Sequence, residues 1–300
     1  MRKMGFIGLG NMGLPMALNV VAKSGRELVV YDLRAEAVAQ AVAAGAQAAA
    51  DVPALARACD VVYVSLPTPA LVEQVLMGPQ GLLEAAQPGL RVVDLSTNSP
   101  AVAQRVAGRL AAAGVVYLES PVTGGVRKAS EGTLAIMVGA APESFAASEA
   151  LYAAIAEQVF HVGPVGAAST VKLINNMMFL CNLAAAAEGV ALAAKAGLDL
   201  QKFAEVVRNG SGFSAGFRLT STRPFANDFS PAFALDLAHK DFALAVELEA
   251  ELGVPSLMAG PALGLLRMAR SQGYGALDCS AVLKVFEGFT GVPARVAVAA

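Results

Sequence analysis

The chain has 300 residues, of which 56% are hydrophobic and 15% are charged, and its formal net charge is −2. At about 150 residues per domain this length predicts two domains, and such a composition can bury large cores and excludes a disordered chain. The near balance of 22 basic and 24 acidic residues, without a basic run, argues against a nucleic-acid partner.

Cysteine and histidine are too few and too scattered for a disulfide framework or a metal site. The three cysteines, Cys59, Cys181 and Cys279, are far apart and odd in number. This usage favours a reducing compartment, so we expect a cytoplasmic protein. Of the two histidines, His161 lies in an apolar run and is interpreted as a hydrogen-bonded histidine at a strand end. His239 is far from it in the sequence, so the two do not form a histidine-rich metal-binding cluster. We therefore expect no metal.

The first 25 residues allow two interpretations, an export signal or a folded element. Arg2 and Lys3 precede a long apolar run, as in a secretory signal, but the small-residue cleavage site is poorly matched. Elsewhere no uninterrupted apolar run reaches the ~18 residues that span a bilayer. Residues 173–187 come nearest, and three asparagines interrupt them. We interpret that stretch as a buried helix and expect no membrane partner.

Through residue 163, short runs rich in β-branched and aromatic residues alternate with alanine-rich stretches of helical spacing. The predicted strands are 4–9, 27–33, 60–66, 90–95, 115–118, 134–139 and 158–162. The predicted helices are 13–23, 35–44, 51–58, 69–77 and 100–113. Continuous apolar strands alternating with helices predict a parallel sheet covered on both faces. Right-handed crossovers make this a doubly wound α/β sheet of the Rossmann type.

The pattern changes after residue 163, and no strand is predicted beyond it. A long helix is predicted over about 169–196, ended by Gly197. Further helices are predicted at 199–209, 231–252, 256–272 and 278–287. The chain is therefore predicted to have a sheet domain over 1–163 and an all-helical domain over 164–300, linked by the long helix.

A glycine-rich turn joins the first predicted strand to the first predicted helix. Gly8, Gly10 and Gly13 have the GxGxxG spacing of a nucleotide-binding turn. Gly8 would make the tight turn, Gly10 would let the backbone approach a pyrophosphate, and Gly13 would let the helix pack close to the strand. The helix start offers its N–H groups to the phosphates, so Asn11 and Met12 join this predicted site. Asp32 lies at the end of the second predicted strand, 24 residues after Gly8, where an acid holds the adenosine ribose hydroxyls. A carboxylate there repels a 2′-phosphate and favours NAD over NADP, although the nearby Arg34 is able to receive that phosphate.

Four further stretches complete a family resemblance that covers almost the whole chain. With the glycine turn "GFIGLGNMGLPMALNV", the segments "DLSTNSP" (94–100), "ESPVTGGVRKASEGTLAIMVGA" (119–140), "GAASTVKLINNMM" (166–178) and "FALDLAHKDFALA" (233–245) occur in order. The sequence resembles the β-hydroxyacid dehydrogenase family, which includes 3-hydroxyisobutyrate dehydrogenase and tartronate semialdehyde reductase. The resemblance implies an oxidoreductase that acts on a small carboxylate substrate and forms dimers or tetramers.

The resemblance places the family's catalytic lysine at Lys172. Oxidising a hydroxyl removes a hydride and a proton, and the protein must handle the proton. The ordinary lysine pKa of about 10.4 is too high for a base at neutral pH, but burial lowers it. Apolar neighbours along the helix favour such burial, whereas the alternative is a lysine snorkelling from an ordinary helix.

Asn176 lies four residues after Lys172, on the same helix face. The resemblance assigns it a hydrogen bond to the reacting hydroxyl or to the substrate carboxylate. Asn175 faces about 100° away and ranks second as a substrate contact.

The segment "PVTGG" is the expected anion site. Thr123 offers a hydroxyl, and Gly124 and Gly125 can turn their N–H groups toward a carboxylate. Most relatives carry serine at the position of Thr123, so the extra methyl group narrows the pocket. Arg127 and Lys128 follow directly, and either hold a second acidic group of the substrate or form a solvated pair.

The remaining predicted contacts are to the cofactor. Leu66, Pro67 and Thr97 lie at the C-terminal ends of predicted strands, at the sheet edge where ligands bind in open α/β sheets. By resemblance, Lys240 approaches the nicotinamide or the substrate, and Asp241 helps to fix it, although a solvated helix pair is the alternative.

These observations predict an NAD-dependent dehydrogenase that interconverts a small 3-hydroxy acid and its semialdehyde, as in 3-hydroxyisobutyrate oxidation. Alternatives within the family are reductases of tartronate semialdehyde, of succinic semialdehyde or of sulfolactaldehyde. A phosphogluconate-type dehydrogenase is disfavoured because no arginine cluster for a phosphate is evident, and imine reductases typically lack the lysine. The non-enzyme alternative is an NAD-sensing protein on the same fold.

Overall fold

The computed structural model describes residues 3–296. The chain divides into two compact units between Lys172 and Leu173. This division falls inside the long helix, whereas the sequence placed the domain boundary at residue 163.

The first unit contains the whole sheet and the helices that cover it. Its strands are β1 (Lys3–Ile7), β2 (Leu28–Tyr31), β3 (Gln47–Ala48), β4 (Cys59–Val64), β5 (Arg91–Asp94), β6 (Val116–Glu119), β7 (Val122–Thr123), β8 (Leu134–Gly139) and β9 (Ala156–Gly163). Its helices are α1 (Gly13–Lys23), α2 (Ala35–Ala43), α3 (Val52–Ala58), α4 (Pro69–Met77), α5 (Pro100–Ala111), α6 (Gly125–Glu131) and α7 (Pro142–Ala146). The two-residue strands β3 and β7 and the short helices α6 and α7 were not predicted.

The sheet is parallel in the order β3-β2-β1-β4-β5-β6, and the order reverses direction between β1 and β4. This confirms the doubly wound prediction. Beyond β6 the expectation of a wholly parallel sheet is wrong, because β8 runs antiparallel to β6 and β7, and β9 runs parallel to β8. Only the seven-residue α6 lies between β7 and β8, and crossovers between parallel strands usually need about a dozen residues or more.

Strands β1, β2, β4, β5 and β6 send alternate side chains to opposite faces of the sheet, and both faces are buried along these strands. Phe6, Tyr63 and Leu118 lie in one hydrophobic cluster, and Ile7 and Val62 lie in a second cluster on the opposite face. Two buried faces explain why these strands are continuously apolar in sequence.

Five parallel strands end at one level, which we call the terminal row. The last residues Ile7, Tyr31, Val64, Asp94 and Glu119 are neighbours in register from strand to strand. The loops that follow these residues therefore begin side by side at the carboxyl edge of the sheet, where ligands bind in open α/β folds.

The second unit is helical, as predicted. The long helix α8 (Ala167–Lys195) enters it, followed by α9 (Leu200–Asn209), α10 (Ala215–Thr220), α11 (Leu235–Leu252), α12 (Ala259–Ser271) and α13 (Val282–Thr290). Within residues 173–296, the β pairing found is one isolated bridge, between Ala234 and Asp278. Helix α11 starts later than predicted because the Asp278 carboxylate accepts the backbone N–H groups of Ala232 and Phe233, at 3.0 and 3.1 Å.

Helix α8 is the one helix in residues 3–296 long and apolar enough, by length and composition, to cross a bilayer. Its side chains Leu173, Leu180, Leu183 and Val190 lie in the hydrophobic core of the second unit. A helix that is apolar around its circumference is typical of the centre of a packed domain as well as of a membrane span.

The buried side chain of Asn19 joins helix α1 to helix α6. Asn19 of α1 is 8% exposed, and its Nδ2 donates to the carbonyl oxygens of Pro15 at 3.1 Å, Ala129 at 2.9 Å and Ser130 at 3.0 Å. Residues 129 and 130 belong to α6, so this amide ties α1 to α6.

Replacing Asn19 with alanine should destabilise the first unit by about 1–3 kcal/mol, because two α6 carbonyls lose their donor. The expected result is a fall in thermal midpoint of about 2–4 °C per kcal/mol. Scanning calorimetry measures this change. Gln40→Ala, at an exposed position of α2, is the control and should leave the midpoint at the wild-type value. Equal midpoints for the two variants would show that the amide link carries no stability.

Candidate active site

The glycine turn between β1 and α1 is closely packed at two glycines and open at the third. Gly8 has φ +91°, and a Cβ there would lie 2.2 Å from the carbonyl oxygen of Ser65. A Cβ on Gly13 would lie 1.9 Å from the carbonyl oxygen of Gly8, whereas one on Gly10 would meet no atom within 4 Å. The space in front of Gly10 is therefore open, and Asn11 beside it is exposed.

The Asp32 side chain is hydrogen-bonded to the glycine turn. Its Oδ2 accepts the backbone N–H of Leu9 at 2.6 Å, and its Oδ1 accepts the backbone N–H of Arg34 at 2.8 Å. The Arg34 guanidinium contacts Oδ1 at 3.3 Å and donates to the carbonyl oxygen of Leu9 at 2.5 Å. Burial alone raises the pKa of Asp32, but these donors outweigh it and leave the pKa below its ordinary value. The carboxylate is thus ionised at neutral pH.

The loops after β4 and β5 are joined by a hydrogen bond. The backbone N–H of Leu66 donates to the Ser96 hydroxyl at 3.0 Å. Pro67 and Thr97 are the next residues of the two loops, so this bond places the predicted cofactor contacts Leu66, Pro67 and Thr97 on neighbouring segments.

The Thr-Gly-Gly segment turns the chain from β7 into α6. Thr123 pairs with Ala135 of β8 and is half-buried. Gly124 has φ +135° and Gly125 has φ +73°, which are conformations that residues with side chains rarely adopt. Both glycines are exposed at the start of α6.

The two cations after this segment contact acids of the first unit. Arg127 Nη1 lies 3.0 Å from Glu131 Oε1, with 79% of its side chain exposed, and Lys128 Nζ lies 3.7 Å from Glu157 Oε2. These pairs favour the solvated-pair interpretation over a second anion site.

Lys172 is buried, with 8% of its surface exposed, in the second turn of α8. Its sequence neighbours Val171 and Ile174 are exposed, so the burial comes from the face that Lys172 occupies and not from the apolar stretch as a whole.

In the second unit, Asp241 organises three of the predicted residues. Its Oδ2 accepts the Asn176 side-chain N–H at 2.7 Å, and its Oδ1 lies 2.8 Å from Lys240 Nζ. The Asn176 Oδ1 in turn accepts the Asn175 amide at 3.2 Å. Asn176 and Asp241 are each 5% exposed, and Asn175 is exposed. The sequence linked Asp241 to Lys240 but missed its bond to Asn176.

Comparison with known proteins covers nearly the whole chain. The NAD-binding domain of 6-phosphogluconate dehydrogenase matches residues 3–163, and the NAD-binding domain of NADP-dependent 3-hydroxyisobutyrate dehydrogenase matches residues 166–286. The chain is 40% identical to 2-(hydroxymethyl)glutarate dehydrogenase of Eubacterium barkeri, over 97% of this chain and 96% of that protein. The chain belongs to the β-hydroxyacid dehydrogenase family.

Two further proteins extend this comparison. The chain is 35% identical to NAD-dependent L-serine dehydrogenase of Pseudomonas aeruginosa, over 96% of this chain and 98% of that protein. The crystal structure of 3-hydroxyisobutyrate dehydrogenase from Salmonella typhimurium superposes with a TM-score of 0.87 at 33% identity, over 95% of this chain and 100% of that one. As a β-hydroxyacid dehydrogenase, the chain is an oxidoreductase that uses NAD or NADP.

The glycine turn of this β-hydroxyacid dehydrogenase fits a dinucleotide. The open space at Gly10 is the space that a Cβ would fill, and α1 presents its first N–H groups beside it. The sequence missed two buried acids of the terminal row, Asp94 and Glu119, each 1% exposed. The available signal was an acid that directly ends an apolar strand, at the start of "DLSTNSP" and of "ESPVTGG".

Asp94 shapes the loop that carries Thr97. Its Oδ1 accepts the backbone N–H of Ser96 at 3.0 Å, and its Oδ2 accepts the Asn98 amide and the Tyr117 hydroxyl, each at 2.8 Å. Burial raises the pKa of Asp94, and these donors oppose the rise. These three hydrogen bonds fix the conformation of the loop that carries Thr97.

Substituting alanine at Gly10 and at Gly13 should separate cofactor binding from folding. Gly10→Ala should keep the wild-type thermal midpoint but weaken NADH binding at least about tenfold, which is about 1.4 kcal/mol, because the methyl group enters the open space. Gly13→Ala should lower the midpoint, since its Cβ collides with a backbone carbonyl at a cost of about 1–3 kcal/mol. NADH fluorescence titration and calorimetry measure both effects. Wild-type NADH affinity in Gly10→Ala would contradict the assignment.

Proposed function

We propose that this β-hydroxyacid dehydrogenase uses NAD to interconvert a small 3-hydroxy acid of the 3-hydroxyisobutyrate kind and its semialdehyde. The observation that carries the proposal is the buried Lys172 amine, one helical turn before a buried Asn176 amide that Asp241 orients. The names of the similar proteins support the substrate class. Hydroxymethylglutarate, serine and 3-hydroxyisobutyrate all contain a CH2OH group on the carbon next to a carboxylate.

The residues that hold the cofactor line the carboxyl edge of the sheet. In the first unit they are Gly8, Gly10, Asn11, Met12 and Gly13 for the pyrophosphate, Asp32 for the ribose, and Leu66, Pro67 and Thr97 for the remainder. In the second unit, Lys240 and Asp241 of α11 are proposed as further cofactor contacts. Bound NAD supplies the hydride acceptor.

The proton and the substrate carboxylate are left to the protein. The Lys172 amine takes the hydroxyl proton during oxidation and returns it during reduction, as a general base and acid. Asn176 donates to the hydroxyl or to the carboxylate, with Asn175 as a secondary contact. Thr123, Gly124 and Gly125 bind the carboxylate, because a hydroxyl and two exposed glycine N–H groups suit an anion.

Asp32 favours NAD over NADP. Its ionised carboxylate repels a 2′-phosphate, and the Arg34 guanidinium that would receive the phosphate already contacts Asp32 and the Leu9 carbonyl. The adenosine end of the site is therefore better suited to ribose hydroxyls than to a phosphate.

The protein is proposed to be a cytoplasmic homodimer or homotetramer. Support for assembly comes from large apolar side chains of the second unit that are 68–76% exposed: Leu192, Val206, Leu257, Met258 and Phe289. Support for a reducing compartment comes from the three cysteines, all of which are free.

A substrate panel tests the proposed reaction. NAD reduction followed at 340 nm should be fastest with 3-hydroxyisobutyrate or another acid that carries CH2OH beside its carboxylate, such as L-serine. Glycerate, 4-hydroxybutyrate and sulfonate analogues represent the tartronate, succinic and sulfolactaldehyde alternatives. NAD should give a higher kcat/KM than NADP, and Asp32→Ala should lower the NAD value more than the NADP value. NADH binding without turnover of any substrate would favour an NAD-sensing protein.

Replacing Lys172 with alanine should lower kcat about 10²–10⁴-fold, the usual contribution of a general acid or base. Lys195→Ala is the matched control, because Lys195 is exposed at the far end of the same helix and donates to the Thr290 carbonyl. The control should keep wild-type kcat. If Lys172→Ala keeps full kcat, the proton-transfer assignment is wrong.

A further inference from the structure

Helix α8 begins on a carboxylate that lies far away in the sequence. Glu119, the last residue of β6, accepts the backbone N–H groups of Gly166 at 2.7 Å and Ala168 at 3.3 Å through Oε2, and of Ser169 at 2.8 Å through Oε1. The remaining N–H of this turn, on Ala167, donates to the Pro164 carbonyl. Glu119 therefore satisfies most of the donors that the start of the helix leaves unpaired.

Five other helices among the described residues are capped by the side chain of the residue that precedes them. Asp51, Thr68, Ser99, Asp199 and Ser214 each accept a backbone N–H from two or three residues further on. The residue before α8 is Gly166 with φ +101°, whereas a local side-chain cap normally has extended backbone. The cap of α8 must therefore come from outside the helix.

Space for this carboxylate is made by a glycine on the next strand. Gly139 of β8 pairs with Glu119, and a Cβ on Gly139 would lie 2.2 Å from Glu119 Oε2. Burying an acid costs free energy unless it is well bonded, so the side chain is held in one place by three donors and by the walls around it.

Glu119 is linked to two parts of the proposed site, to one through the chain and to the other through its hydrogen bonds. The Thr123-Gly124-Gly125 segment follows it within six residues, and Lys172, in the second turn of α8, lies three residues after Ser169, which is less than one helical turn. Movement of the first turn of α8 would therefore move the Lys172 amine relative to the segment that begins at Glu119. An error of about 1 Å in such a group is able to lower a rate about 100-fold.

We propose that Glu119 is a positioning residue that anchors the first turn of α8 to the terminal row and so places the Lys172 amine for proton transfer. This inference rests on the proposed role of Lys172. Glu119 itself does not transfer the proton, and its effect on the rate passes through the lysine.

A double-mutant cycle on kcat tests this. Glu119→Gln keeps the size of the side chain but replaces an acceptor with an NH2 group that faces N–H donors. Alone it should lower kcat about 10–100-fold, with NADH affinity and KM within about twofold of wild type. Combined with Lys172→Ala it should cause no further loss, because the group that it positions is gone. Glu119→Asp, which keeps the charge one methylene shorter, should recover part of kcat.

Asp94→Asn is the matched control, because Asp94 is the other buried acid of the terminal row and its hydrogen-bond donors lie on the Thr97 loop and on β6. The fold-loss of kcat that Asp94→Asn causes should be the same with and without Lys172→Ala, so that the two losses multiply in the double variant. Unchanged kcat in Glu119→Gln, or an equal loss in both backgrounds, overturns the positioning role but leaves the proposed reaction intact. Full kcat in Lys172→Ala overturns the positioning role together with the proton-transfer role of Lys172. If Glu119→Gln does not fold, the Glu119→Asp variant carries the same cycle with the same criteria.

Discussion

The register of the parallel strands is the constraint on which the site of the first unit depends. Ile7, Tyr31, Val64, Asp94 and Glu119 end at one level, so the glycine turn, Asp32, the Leu66 and Thr97 loops and the Thr-Gly-Gly segment all leave the same edge. A shift of one residue in any of these strands would exchange its two buried faces. The apolar character of both faces tolerates such an exchange, but the packing at the loops does not, since Gly8 and Gly13 have no room for a Cβ.

Four carboxylates, three of them buried and one, Asp32, half-buried, hold the groups that are proposed to carry the chemistry. Asp32 closes the glycine turn, Asp94 shapes the Thr97 loop, Glu119 starts α8, and Asp241 orients Asn176 and Lys240. Each acid loses hydration on burial, and each recovers it through bonds to backbone N–H groups, amides or an ammonium group. Such bonds fix direction as well as position, which apolar contacts do not do.

Much of the fold was predictable because its signals are local. The strand–helix alternation, the all-helical second half and the long helix bearing Lys172 follow from hydrophobic periodicity, and the family resemblance is confirmed by the comparisons. The two-residue strands β3 and β7 were missed because so short an element has no period. The antiparallel placement of β8 was missed because it depends on the short connection through α6. Arg127 and Lys128 remained ambiguous until their partners Glu131 and Glu157 were seen.

The sequence by itself determined the glycine turn with its following acid, and the spacing that places Lys172 and Asn176 one turn apart. These depend on backbone conformation and helical repeat, which neighbouring residues specify. The tertiary structure alone decided which buried acid holds which group. Glu119 meets Gly166 across 47 residues and Asp241 meets Asn176 across 65. A buried carboxylate bonds to whatever donors the packing brings to it, and strand register and helix packing, not sequence spacing, choose those donors.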